Sequence, residues 1–264
     1  QGMAEVLGDK PLCGGCGAKI GPGTLTTALA ALPAPLRSDV LSGPGDDAAI
    51  LRTGAATQVM TTDHLRAFTD DPFMMSRIAA VHALGDIWAM GATPQAAVLT
   101  VILPKMSERM QASTMAEVLE GATTVLQEAG ADLVGGHSTL GDELTIGLAV
   151  TGLCDRDPIT LSGAQDGAAL ILTNPVGTGV IMAALMSGKA RGEDVAAALE
   201  AMQQGQKTAA HILRDVAQAM TEVLGSSGTG AKISVDGASN ILLVRGTDRH
   251  GNFKSVPAPT ENFA

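Results

Sequence analysis

The residues with the clearest chemical potential lie near the start of the chain: Cys13-Gly14-Gly15-Cys16-Gly17-Ala18-Lys19. This stretch sets a thiol and an amine three residues apart on a backbone almost without side chains. A cysteine is a nucleophile as its thiolate, and a nearby ammonium stabilises that form. Glycine lets other backbone or a ligand approach closely. The segment reads as a mobile arm with a reactive Cys and a phosphate-seeking Lys, the alternative being a loose tail with an incidental CxxC.

A second group is acidic. Asp46-Asp47 opens a predicted strand (DDAAI), Asp63 closes another (VMTTD), and Asp86 lies near the C-terminal end of a predicted helix, one turn after His82. Carboxylates at the ends of separate elements can converge on one site. Hard oxygen donors suit Mg2+, which bridges one or two carboxylates to substrate phosphates. Taken singly, each is equally an ordinary cap or turn residue. Gly135-Gly136-His137-Ser138 follows a short apolar strand and reads as a Gly-rich turn whose N–H groups could meet a phosphate, with His137 as a hydrogen-bonded structural residue. There is no GxxxxGK[ST] and no GxGxxG between a strand and a helix, so any nucleotide site is of another kind.

These residues need elements to hold them. Residues 23–36 suit a short helix ended by Pro33. Residues 47–51 and 57–62 read as strands. A helix over 70–90 is capped by Asp70 or Asp71, carries Pro72 in its first turn and stops at Gly91. A buried strand at 96–103 is followed by a helix from Ser107 to about Ala129, stopped by Gly130. Strands at 131–135 and 144–153 flank a turn at Gly141-Asp142. A strand at 168–173 precedes helices at about 178–187, 193–204 and 206–220. The irregular alternation predicts an α/β or α+β fold rather than a doubly wound sheet. A charged, Gly/Pro-containing stretch at 155–166 is the best boundary between domains.

Composition narrows the class. The 264 residues are 45% hydrophobic but only 2% aromatic, so the core is built from Ala, Leu, Val, Ile and Met. A net charge of −10 argues against a nucleic-acid or acidic-membrane surface. An acidic protein that binds ATP needs cations between them, so bound metal is expected. Three cysteines make no disulfide framework and suit the reducing cytoplasm. No apolar run reaches the roughly 18 residues of a transmembrane helix, and no secretory signal is seen. A single CxxC without a second pair at zinc spacing makes structural zinc a poor fit.

The order of these pieces carries a resemblance. CGGCGAKI, GPGDDAAI, TTDHLRAFTDDPFMMSRIAAVHALGDIWAMGATPQAAV, GGHS and GLAVTG together resemble selenophosphate synthetase (selenide, water dikinase), over roughly residues 10–220. That family is a relative of aminoimidazole ribonucleotide synthetase, thiamine-monophosphate kinase and a hydrogenase maturation factor. Its Cys/Lys arm sets it apart from them. The form CGGCGAK looks like the version fused behind an NADH-dehydrogenase-like flavoprotein domain; these 264 residues hold no such domain, and the expectation is an excised portion.

The resemblance implies a two-domain aminoimidazole ribonucleotide synthetase-like fold, with an N-terminal mixed sheet that forms a barrel across a homodimer and a C-terminal α/β domain. It divides the chain into an arm (1–22), an ATP/Mg2+ domain (23–155) and the C-terminal domain (156–264). Cys16 and Lys19 match the catalytic pair. Asp47 and Asp86 match Mg2+ ligands, and Asp63 a residue beside metals and phosphates. Pro44, Gly45 and Asp46 match a phosphate-side loop, and Gly136, His137 and Ser138 a second nucleotide contact. The implied reaction takes ATP, selenide and water to selenophosphate, AMP and phosphate, the selenide being either free or brought by a selenium-delivery protein. Rival expectations are another ATP-using enzyme of the superfamily, a small-molecule kinase or ring synthetase, and a non-catalytic nucleotide-binding domain. One departure stands out. After Thr221 the family continues through Asp-Val-Thr-Gly-Phe-Gly, which supplies another metal-binding Asp, whereas here the chain runs into EVLGSSGTGAKISVD. The family's later Pro-Gln-Thr-Ser-Gly-Gly turn is also absent, and 237–264 align with nothing recognisable. The expectation is that the sequence joins segments across a gap, because a true deletion would strip a helix from the core.

Overall fold

The computed structural model describes residue 20 and residues 22–161, 169–224, 230–236 and 239–245. A short helix α1 (Pro22–Leu29) leads to β1 (Ala49–Thr53), β2 (Ala56–Arg66), α2 (Pro72–Ala89), β3 (Thr93–Pro104), α3 (Glu108–Ala129), β4 (Asp132–Gly141) and β5 (Thr145–Cys154). Then follow β6 (Ala169–Leu172), α4 (Thr178–Met186), α5 (Gly192–Met202), α6 (Lys207–Leu224), β7 (Gly230–Asp236) and β8 (Ser239–Arg245). The fold is mixed α/β. Its main sheet has five strands in the order β1-β2-β5-β3-β4, and a three-stranded sheet runs β6-β8-β7. All pairs are antiparallel except β3 with β4, which the crossover through α3 makes parallel.

Local signals fix the two helices that cover this sheet. The Asp71 carboxylate accepts from the Met74 N–H at 2.8 Å, and Pro72 occupies the first position of α2, where a missing N–H is harmless. Ser107 caps α3, and Gly130 closes it at φ 85°, a left-handed conformation that costs other residues more. The helices differ in character. In α3 the buried residues Val118, Gly121, Ala122, Val125, Leu126 and Ala129 form one stripe. In α2 most positions are buried, because the helix is enclosed by strands on one side and α3 on the other. The two meet closely at small residues: the Ser76 hydroxyl donates to the Val118 carbonyl at 2.6 Å, and Gly121 faces the Phe73 carbonyl and Ser76.

Alternation along the strands sends Val59, Leu99, Val101, Ile146, Leu148 and Val150 into this core. On the opposite face Met60, Val98 and Leu153 remain exposed. The C-terminal elements dock on the far end of α2 and α3. Trp88 packs against Gly205, Lys207 donates to the Glu128 carbonyl at 2.9 Å, and Arg214 pairs with Asp155 at 3.7 Å.

Several boundaries differ from the sequence reading. The first helix ends at Leu29, before Pro33, its last carbonyls taken up by a tight turn. Asp63 does not close a strand: β2 continues through Arg66, because His64, Leu65 and Arg66 stay paired with Gly147, Ile146 and Thr145. Gly135–Ser138 do not form a turn either. They are the middle of β4, paired with Val98–Val101. The glycines there serve close approach, since a Cβ on Gly136 would collide with the Leu99 carbonyl oxygen. Among the described residues no helix is long and apolar enough to cross a membrane.

Candidate active site

Two of the acidic residues, Asp63 and Asp86, lie along one seam, where α2 lies on β2. Thr61 and Asp63 are two apart on the strand, so both face the helix. His82 and Asp86 are four apart on the helix, so both face the strand. The two spacings match at roughly 6 Å, and the side chains meet in register. The Thr61 hydroxyl donates to Asp86 Oδ2 at 2.7 Å, and His82 Nε2 lies 3.2 Å from Asp63 Oδ2. Each carboxylate is thereby held by a partner on the opposite element. His82 and Thr61 were not among the site residues read from sequence, although the helical spacing of His82 from Asp86 is visible there.

Asp47 stands on the bend just before β1, and its neighbours Pro44, Gly45 and Asp46 belong to the same irregular loop. Gly45 has φ 133°, a conformation that L side chains rarely adopt. The Asp46 carboxylate accepts from two backbone N–H groups, those of Asp47 and Leu161, both at 2.9 Å. Gly136, His137 and Ser138 lie on the exposed edge strand of the sheet. With Leu99, Val101, Met115, Leu119 and Leu133 they line a groove of about 320 Å3 between β4 and α3. A larger cavity of about 610 Å3 opens on the uncovered sheet face, walled by Thr62, His64, Arg66, Thr100 and Thr145, with Arg66 paired to Glu143 at its rim.

Cys13, Cys16 and Lys19 lie outside the described residues. Cys154 is described, half-buried at the end of β5 and paired across to Thr57. Burial, and secondarily the charge of Asp155, push its thiol up to about 11. It therefore stays protonated at neutral pH and is a poor nucleophile.

Among the described residues no three His, Cys, Asp or Glu side chains come together as a ready-made metal cage. Asp63 and Asp86 nonetheless present carboxylate oxygens, the donor type that Mg2+ prefers. That ion takes one or two protein carboxylates and completes its shell with phosphate oxygens and water.

Residues 45–154, the lobe built from β1 to β5, match the family described as AIR synthase related protein, N-terminal domain. A selenide, water dikinase from Nitratidesulfovibrio vulgaris (strain Miyazaki F) is 35% identical over 252 residues, 91% of this chain and 71% of that protein. The chain belongs to the selenide, water dikinase family. A selenide, water dikinase from Desulfitobacterium hafniense (strain Y51) is 42% identical over 217 residues, 80% of this chain. The chain spans 63% of that relative's length. The fold agrees with this placement. The crystal structure of thiamine monophosphate kinase from Aquifex aeolicus superposes with a TM-score of 0.62 over 89% of this chain and 90% of that one, at 15% identity. Selenide, water dikinase membership thus rests on sequence, and the structural likeness shows the shared architecture.

Proposed function

We propose that this chain carries the ATP-dependent synthesis of selenophosphate from selenide, releasing AMP and phosphate. The observation that carries the reading is the agreement of two things: similarity to named selenide, water dikinases across most of the chain, and the α2–β2 seam that presents Asp63 and Asp86 with their oxygens held by His82 and Thr61. In this reading Asp47 and Asp86 hold Mg2+, and Asp63 stands beside the ions and the phosphates. The ions supply charge neutralisation for a triphosphate that an acidic protein would otherwise repel. The 44–46 loop lies on the phosphate side, and Gly136, His137 and Ser138 offer a second contact from the edge strand.

The arm brings the remaining chemistry. Lys19 folds over the terminal phosphate, and Cys16 guides selenium to it. Closure of residues 1–22 keeps water from intercepting the first transfer. Water then enters to release the second phosphate, so the products account for all three phosphates of ATP. Residues 23–155 act as the ATP/Mg2+ domain and 156–264 as the C-terminal domain. Met60, Val98 and Leu153, exposed on the uncovered face of the five-stranded sheet, support a homodimer in which a second copy covers that face.

The test uses the arm. Cys16→Ser and Lys19→Ala should each lower selenide-dependent AMP formation about 100-fold or more, as expected for groups acting on the reacting atoms. Melting temperature is measured alongside, and an unchanged value assigns the lost turnover to chemistry rather than to folding. Undiminished turnover in both variants would remove the arm from the mechanism.

A further inference from the structure

The loop that presents Asp47 is fastened from a distance. Asp46 Oδ1 accepts the N–H of the next residue, Asp47, at 2.9 Å. Its other oxygen, Oδ2, accepts the N–H of Leu161 at 2.9 Å, 115 positions further along the chain. Leu161 lies in the segment 155–161, which leaves β5 and leads toward the C-terminal elements. The same segment has a second tie. The Ile159 N–H donates to the Met90 carbonyl at 3.1 Å, directly after α2, and the Ile159 side chain covers Gly91. One short stretch of backbone is therefore pinned both to the loop of Asp47 and to the end of the helix that carries Asp86.

We propose that Asp46 is a positioning residue whose carboxylate locks the Asp47 loop to the linker between the two lobes, instead of binding nucleotide itself. Its two oxygens are both directed at amides, and hydrogen bonds to an ionised acceptor are roughly twice as strong as neutral ones. The Asp47 amide fixes the backbone from which the Asp47 side chain springs. The Leu161 amide fixes where the second lobe begins. Movement of the linker would therefore be felt at Asp47, and a ligand drawn to Asp47 would tighten the linker. The part concerning Mg2+ and ATP rests on the function proposed above; the lock itself does not.

The whole chain of 264 residues allows both parts to be tested. Hydrogen exchange at amides 159–161 is compared in the wild type, Asp46→Asn and Asp46→Ala, with amides 146–152 of β5 as an internal control for folding. Loss of a hydrogen bond to a charged group predicts about tenfold faster exchange at Leu161 in Asp46→Ala. The control amides should be unchanged. Asp46→Asn should fall between, because one carbonyl oxygen can serve one amide well but not both. Calorimetric titration of ATP in the presence of Mg2+ should show affinity about tenfold weaker in Asp46→Ala, with partial recovery in Asp46→Asn. Unchanged exchange at Leu161 in Asp46→Ala would overturn the lock. Faster exchange with undiminished Mg2+-ATP affinity would overturn its coupling to Asp47. A wild type that binds no Mg2+-ATP would sink the proposed function, while the exchange result would still decide the lock.

Discussion

Asp86→Ala is expected to reduce ATP turnover about 100- to 1000-fold, the range found when a single group that stabilises developing charge is removed. Two physical consequences follow from the seam. The carboxylate that would share Mg2+ with the phosphates is lost, and the buried Thr61 hydroxyl loses its acceptor. The second effect should lower stability by about 1–3 kcal/mol. Asp86→Asn separates the two, because an amide oxygen can still accept from Thr61 but carries no charge. Its melting temperature should stay near that of the wild type while turnover remains as low as in Asp86→Ala. Both variants should also need more Mg2+ to reach half-maximal rate. An Asp86→Asn protein with ordinary turnover would show that the carboxylate is structural only, and would shift the metal role to Asp47 and Asp63.

A valine at position 121 should be the most damaging single change to the fold. A Cβ on Gly121 would come 2.5 Å from the Phe73 carbonyl oxygen and 3.2 Å from Ser76 Cβ. Neither neighbour is the flexible end of a side chain, so the clash is relieved only by moving α2 away from α3. Overpacking of a tight core typically costs about 1–3 kcal/mol, and a rigid helix–helix contact belongs at or above the upper end. The displaced helix is also the one that carries His82 and Asp86, so turnover should fall with stability. Urea denaturation gives the number. Gly23→Ala in α1 is the control, with no atom within 4 Å of an added Cβ, and it should be neutral or stabilising by about 0.4–1 kcal/mol. A Gly121→Val protein with an unchanged urea midpoint would mean that the helices do not meet at this point.

These two cases mark where the sequence was readable. The helices α2 and α3 could be bounded closely because their signals are local: Asp71 and Pro72 at one start, Ser107 at the other, Gly130 at a stop. The mixed α/β class followed from the same pattern. Extended segments without such punctuation were harder. Gly135–Ser138 carries no strand propensity, and its conformation comes from pairing with Val98–Val101, which sequence proximity does not display. Arg66 ends β2 four residues past the predicted end at Thr62 for the same reason. The candidate site divides along this line too. Asp47, Asp63 and Asp86 stood out as acidic residues in suitable contexts. The contacts that orient them, His82 to Asp63, Thr61 to Asp86 and Asp46 to Leu161, join residues 19, 25 and 115 positions apart, and only the folded chain shows them.

The most direct test of the account is ³¹P NMR of the products formed from Mg2+-ATP with and without selenide, under anaerobic reducing conditions. AMP, phosphate and a selenium-bonded phosphorus signal should all appear, and only when selenide is present. Formation of ADP alone, unaffected by selenide, would contradict it and place the chain's chemistry with an ordinary phosphotransferase of the same fold.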